Sequence, residues 1–122
     1  MQDSWNDQQP IYRQLRDRVA GQVLAGVFKE GEAVPSVRQV ASEAQINHLT
    51  VGKAYQELVD EGVLEMKRGR GMFVVSGARR LLLNQEKQKF IAEELPAFAA
   101  RLRQLDISIE YLLSLLKDEE SK

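Results

Sequence analysis

The chain has 122 residues, enough for one domain or for a small domain with an appendage, and 43% of them are apolar, enough for a core that two subunits can share. It has no cysteine, which excludes a disulfide framework and a thiolate metal site and fits a reducing cytoplasm. The net charge of −1 speaks against a uniformly basic nucleic-acid binder, and the polar start MQDSWNDQQP and the lack of a long apolar run speak against a signal peptide and a membrane span.

Charge is nonetheless unevenly placed. Residues 1–77 hold 9 Lys and Arg against 10 Asp and Glu, and residues 78–122 hold 8 of each. Between Lys67 and Arg80, however, five basic residues occur with no acid. A focused patch of this kind meets phosphates while the remaining surface stays acidic.

Residues 1–9 are expected as a flexible arm, with Trp5 packing on a neighbouring surface. A first helix is expected from near Pro10, which suits a first helical position. Ile11, Leu15, Val19 and Val23 form its buried stripe. Gly26 and the turn at Glu30-Gly31-Glu32 end it. Ser36 is expected to cap a second helix running to about Ala44, and Gln39 completes an S-x-x-Q capping box. Gln45-Ile46-Asn47 forms a turn, with Asn47 capping a third helix over 48–61. Val51, Ala54, Tyr55 and Leu58 share its inner face, Leu49, Lys53, Gln56 and Asp60 the opposite one. Gly62 ends this helix, and strands Val63–Lys67 and Met72–Val75 follow, joined by Arg68-Gly69-Arg70-Gly71.

The last third is helical. Ile91, Leu95, Phe98, Leu102, Leu105, Ile109, Leu112 and Leu116, with Phe90 beside them, alternate at spacings of four and three like a heptad seam. Pro96 interrupts the pattern, so a long kinked helix over 79–104 is expected, then a turn at Asp106-Ile107-Ser108 and a helix over 109–118. The seam either packs back on its own domain or forms a two-fold dimer interface; so many apolar positions on so short a segment favour the dimer.

The order of elements is that of a winged helix-turn-helix: mainly α, with a small β wing, followed by a short helical dimerisation segment. The divisions expected are the arm 1–9, a DNA-binding domain 10–77 and a dimerisation segment 78–122. Residues 10–75 resemble the GntR-type regulators. The resemblance is carried by Pro35-Ser36-Val37-Arg38, Thr50-Val51, Ala54-Tyr55, Leu58, Glu61-Gly62 and Gly69-Arg70-Gly71-Met72-Phe73-Val74, in order and at family spacing. Only about 45 residues follow, where many members carry an effector domain of well over a hundred, so the resemblance is to the YtrA-like subfamily. It implies a homodimeric repressor, with transporter operons a frequent target, bound to a palindromic stretch of double-stranded DNA.

The residues expected at DNA follow from position and resemblance together. Ser36 and Arg38 lie at the start of the second helix, and the arginine fork suits a phosphate or a base edge. His48, Leu49, Thr50 and Lys53 lead the third helix into the major groove. Members commonly have arginine at the positions of His48 and Gly52. Gly52 offers no side chain, so Leu49 either meets a thymine methyl or stands as an exposed leucine. The wing, Arg68, Gly69, Arg70 and Gly71, is expected at the minor groove. Arg79 and Arg80 either meet phosphate or keep the linker wet. The sequence marks no metal site, cofactor or effector pocket, and a single histidine with no cysteine or paired carboxylates argues against an enzyme. The alternative class is a protein-interaction module built on a winged helix and a helical interface.

Overall fold

A computed structural model describes residues 5–122. The elements in chain order are α1 (Ile11–Leu24), α2 (Val37–Ala44), α3 (His48–Asp60), β1 (Leu64–Lys67), β2 (Gly71–Val74), α4 (Ala78–Lys89), a π-helical turn (Phe90–Glu94), α5 (Leu95–Gln104) and α6 (Ile109–Glu120). They gather into two units. The first, a winged helix-turn-helix head, runs to Asn84; the second is Gln85–Lys122. The head thus extends past the expected 77/78 division, because Ala78 and Leu82 of α4 are buried in its core.

Local chemistry explains the head's helix ends. The Asn47 side chain accepts from Leu49 N–H at 2.8 Å and caps α3. At the other end Gly62 takes φ +84°, and Val63 N–H returns to the Leu58 carbonyl, closing a Schellman-type stop. Ser36 caps α2 by accepting from Gln39 N–H at 3.0 Å. The expected capping box is only half made, since the Gln39 amide donates instead to Glu43 one turn on. Pro10 stands at the N-cap of α1, one position before the first helical residue where it was expected.

The core forms where α1 and α2 pack on α3. Leu15, Val19 and Val23 are buried as the stripe requires, while Ile11, the first residue of α1, is 39% exposed. Val51, Ala54, Tyr55 and Leu58 of α3 are fully covered. The Tyr55 hydroxyl donates to the Pro35 carbonyl at 2.6 Å, tying α3 to the segment that launches α2. Burial pushes this phenol well above its ordinary range, so it stays a donor throughout the physiological span. Tyr55→Phe is expected to cost about 1 kcal/mol, the net contribution of one buried neutral hydrogen bond, read as a lower urea midpoint at unchanged slope.

The wing pairs Leu64 with Val74 and Lys67 with Gly71 in an antiparallel ladder. A third, short partner comes from the loop before α2. Ala33 bridges to Phe73, with Gly31 N–H donating to the Val74 carbonyl and Val34 N–H to that of Met72. The sequence pattern missed this strand-like pairing, which anchors the wing to the α1–α2 connection.

Of the arm expected at 1–9, residues 1–4 lie outside those described. Residues 5–9 are docked. Gln14, 8% exposed, accepts from Asn6 N–H and donates to the carbonyls of Asn6 and Gln9. The Arg18 guanidinium stacks on Trp5 at 3.9 Å from the ring centroid.

In the second unit, α5 starts at Leu95 with Pro96 in its first turn. Proline has no N–H and crowds the carbonyl four residues back. The chain absorbs this by widening one turn: Leu95 N–H donates to Phe90, five residues before it. The turn after α5 places Asp106 at φ +56°, and Ser108 caps α6 by accepting from Tyr111 N–H. The expected break therefore falls where the sequence put it. Phe90, Ile91, Leu95, Phe98, Leu105, Ile109 and Leu116 are all exposed, and Leu102 and Leu112 are half-buried.

Candidate nucleic-acid interface

The helix-turn-helix places α2 and α3 on either side of a hollow of about 790 Å³. Ser36, Arg38, Asn47 and His48 line it, with Val37, Ala41, Ser42 and Ile46. No acid stands among these residues. The surface thus brings together Ser36, Arg38 and His48 from two helices, with hydroxyl, guanidinium and imidazole groups around one concavity. Leu49, Thr50 and Lys53 lie on α3 outside that lining. Leu49 is 70% exposed, so the side chain at the head of α3 presents bare apolar surface. Thr50 is half-buried.

Lys53 has a partner the sequence did not reveal. Its ammonium sits over the Tyr12 ring at 4.1 Å from the centroid. A residue of α1 therefore holds the cation of α3 beside the helix rather than leaving it to extend freely. Nothing in the spacing of α1 marks Tyr12 for this role, because the pair is 41 positions apart.

The wing shows a similar arrangement. Lys67 and Arg70 stand over the Phe73 ring at 4.5 and 5.0 Å, and Phe73 is only 9% exposed. This arrangement was readable in principle. Glu65 faces Phe73 and Lys67 faces Gly71, so Lys67 and Phe73 share one sheet face as diagonal neighbours. Arg68 and Arg70 are exposed at the hairpin end, between Lys67 and glycines at φ +74° (Gly69) and +110° (Gly71).

Ion pairs tie up part of the head's charge of both signs. Arg13 of α1 pairs with Glu57 of α3 at 2.7 Å, and Arg16 pairs with Glu61 and Asp17. The Glu61 hydrogen bond is the main reason Arg16 is held above even its usual basic range. These acids cancel arginines within the head. Arg38 and the wing arginines are not part of that balance. Counting whole-chain charge therefore understates the cationic character of the surface around α2 and the wing.

Arg79 differs from Arg80. Its Nε donates to the Leu24 carbonyl at 2.9 Å, and its backbone N–H donates to Glu30. Among the described residues no cluster of His, Cys, Asp or Glu is placed to hold a metal ion, and no helix is long and apolar enough to cross a membrane.

Residues 11–74 match the family described as "Bacterial regulatory proteins, gntR family". The chain belongs to the GntR family. Its similarity to one repressor reaches beyond the head: it is 34% identical to the HTH-type transcriptional repressor YtrA of Bacillus subtilis (strain 168), over 89% of this chain and 83% of that one. The Mannosyl-D-glycerate transport/metabolism system repressor MngR of Escherichia coli (strain K12) is 29% identical over 85% of this chain but only 40% of its own length. Among solved structures, a GntR-family transcriptional regulator from Bacteroides thetaiotaomicron aligns with a TM-score of 0.78 at 35% identity, covering 90% of this chain and 96% of that one. The match to YtrA, at 109 residues, is longer than the head and takes in part of the helical segment after it, as the YtrA-like resemblance implies.

Proposed function

We propose that this GntR-family DNA-binding regulator is a homodimeric cytoplasmic repressor that reads a palindromic operator. In this reading α3 enters the major groove, led by His48, Leu49, Thr50 and Lys53. Ser36 and Arg38 meet the backbone at the groove edge, and Arg68, Gly69, Arg70 and Gly71 of the wing reach the minor groove. The observation that carries the reading is the acid-free concavity shared by Ser36, Arg38 and His48, lying between α2 and the start of α3. Hydroxyl donors and the Arg38 guanidinium gathered there suit the phosphates that flank an inserted helix. The arm, the head and the helical segment divide the work into docking, reading and pairing.

Repression is supported by the names of the relatives, and control of a transport operon by the name of MngR. No effector enters this reading.

Selection of bound fragments from random and genomic DNA tests it. The expected product is a palindrome with half-sites one or more helical turns apart, bound with an affinity that falls steeply as salt rises. Recovery of no common sequence, together with a flat salt response, would overturn it in favour of a protein-interaction module.

A further inference from the structure

Three cations join α1 to α3, and they are held in two different ways. Arg13 and Arg16 of α1 pair with Glu57 and Glu61 of α3, so each is cancelled where it sits. Lys53 of α3 is exposed and forms no ion pair among the described residues. Its ammonium rests over the Tyr12 ring of α1, 4.1 Å from the centroid. A ring face attracts a cation through its quadrupole and carries no net charge. Lys53 is thus held in place with its whole charge retained.

The ring also fixes a direction. Lys53 lies on the outer face of α3, away from the buried Val51, Ala54, Tyr55 and Leu58. From there a lysine stem can extend straight out from the helix or fold along its flank. The Tyr12 ring belongs to a helix packed against α3, so the ammonium over it marks the folded course. A helix with its side chains is about 10–12 Å across, and the major groove is about 12 Å wide. A side chain extended ahead of such a helix reaches the groove floor, where the base edges are. One folded along the flank stays by the wall, where the phosphates are. Tyr12 is itself anchored: it sits in the first turn of α1, half-buried against the core of the head.

We propose that Tyr12 is a positioning residue for DNA binding: its ring keeps the Lys53 ammonium charged and turned to the groove wall, where it meets a phosphate rather than a base. This rests on the reading that α3 enters the major groove, and both residues belong to the head. A free lysine side chain loses rotamer freedom when it docks. One already seated on a ring loses less, so Tyr12 raises affinity without touching DNA.

The test uses the full chain as wild type, Tyr12→Phe, Tyr12→Leu, Lys53→Met, and the double variant of Tyr12→Leu with Lys53→Met. The probes are the selected palindrome and a duplex carrying one half-site, each titrated over a range of salt. Phenylalanine keeps the ring; leucine keeps apolar cover without it. Tyr12→Leu is expected to weaken half-site binding about threefold and palindrome binding about tenfold, and Tyr12→Phe less than about twofold. With Lys53→Met already present, the same leucine is expected to change nothing further. Lys53→Met is expected to lower the slope of log K against log salt by about 0.9 on one half-site and to leave base preference unchanged. Proton magnetic resonance of the free protein reads the seat directly. The Lys53 ε-methylene is expected upfield in wild type and Tyr12→Phe, and at its ordinary position in Tyr12→Leu.

An unaltered affinity in Tyr12→Leu overturns the proposal alone, as does an ordinary Lys53 ε-methylene position in the wild type. So does a loss from Tyr12→Leu that is equally large without Lys53, which would make Tyr12 part of the head's stability only. A Lys53→Met variant that relaxes preference at one base pair and spares the slope would put the ammonium on a base edge and overturn it too. A Lys53→Met variant with wild-type affinity, slope and base preference overturns the placement of Lys53 at the duplex, and this inference with it.

Discussion

Aspartate at both Leu105 and Ile109 is expected to convert the protein to a monomer of 13.9 kDa by light scattering and to weaken palindrome binding by about 10²–10⁴-fold. Both side chains stand exposed on the single chain, Ile109 at 69%, so replacing them leaves the fold of one chain intact. Exposed apolar residues scattered singly are ordinary. A series of them from Phe90 to Leu116 on three consecutive helical segments is not, since soluble monomers rarely leave so many large apolar side chains together in so short a stretch in water. Each leucine or isoleucine covered by a partner gains about 1.5–3 kcal/mol, and two copies of the seam contribute together. A carboxylate placed there must be stripped of water without a counter-charge. Affinity for a single half-site is expected to stay within twofold, because the head is untouched. A double variant that remains dimeric would move the interface away from this seam.

The sequence carried the elements of the head well because local chemistry defines them. The Asn47 cap, the Gly62 stop and the 3.6-residue stripe of α3 are each set by residues within a few positions of one another. The break at Asp106 to Ser108 was legible for the same reason. Its counterpart at Pro96 was legible only in part: a missing N–H predicts a disturbance, but a widened turn at Phe90–Glu94 and a sharp kink satisfy it equally well in the sequence.

What stayed hidden are pairs joined across the fold. Tyr12 and Lys53, Glu30 and Gly77, Ala33 and Phe73 meet only once α1, the wing and the connecting loop have packed. No periodicity links them. The same holds for electrostatics. A net charge of −1 looks unpromising for a DNA binder until its placement is seen: Glu57 and Glu61 are taken up by Arg13 and Arg16, and no acid lines the concavity between α2 and α3. The packing of Trp5 was expected, but the docking of residues 6–9 was missed because it depends on one buried glutamine, Gln14, whose polar character alone would place it at the surface.

That internal cancellation gives a sharp way to find the DNA face. Arg38→Ala, Arg70→Ala and Arg13→Ala make the same change in net charge. If affinity followed net charge alone, the three would behave alike. Arg13 is occupied by Glu57 at 2.7 Å, whereas Arg38 borders the concavity at α2 and Arg70 stands on the wing. Removing one cation from one phosphate lowers the slope of log K against log salt by about 0.9, and in a dimer every substitution acts twice. Arg38→Ala and Arg70→Ala are therefore each expected to reduce the slope by about 2, and the double variant by about 4. Charge-assisted bonds contribute about 1.5–3 kcal/mol apiece, so the double variant is expected to bind the palindrome at least about 10³-fold more weakly at about 150 mM salt. Arg13→Ala is expected to leave the slope unchanged, with any small drop in stability seen separately in urea. The slope also distinguishes what each arginine touches. If Arg38 reads a base edge, its removal relaxes preference at one base pair and spares the slope. A slope lowered as much by Arg13→Ala as by Arg70→Ala would mean that DNA senses only the overall charge of the head, and the placement of α2 and the wing at the duplex would be wrong.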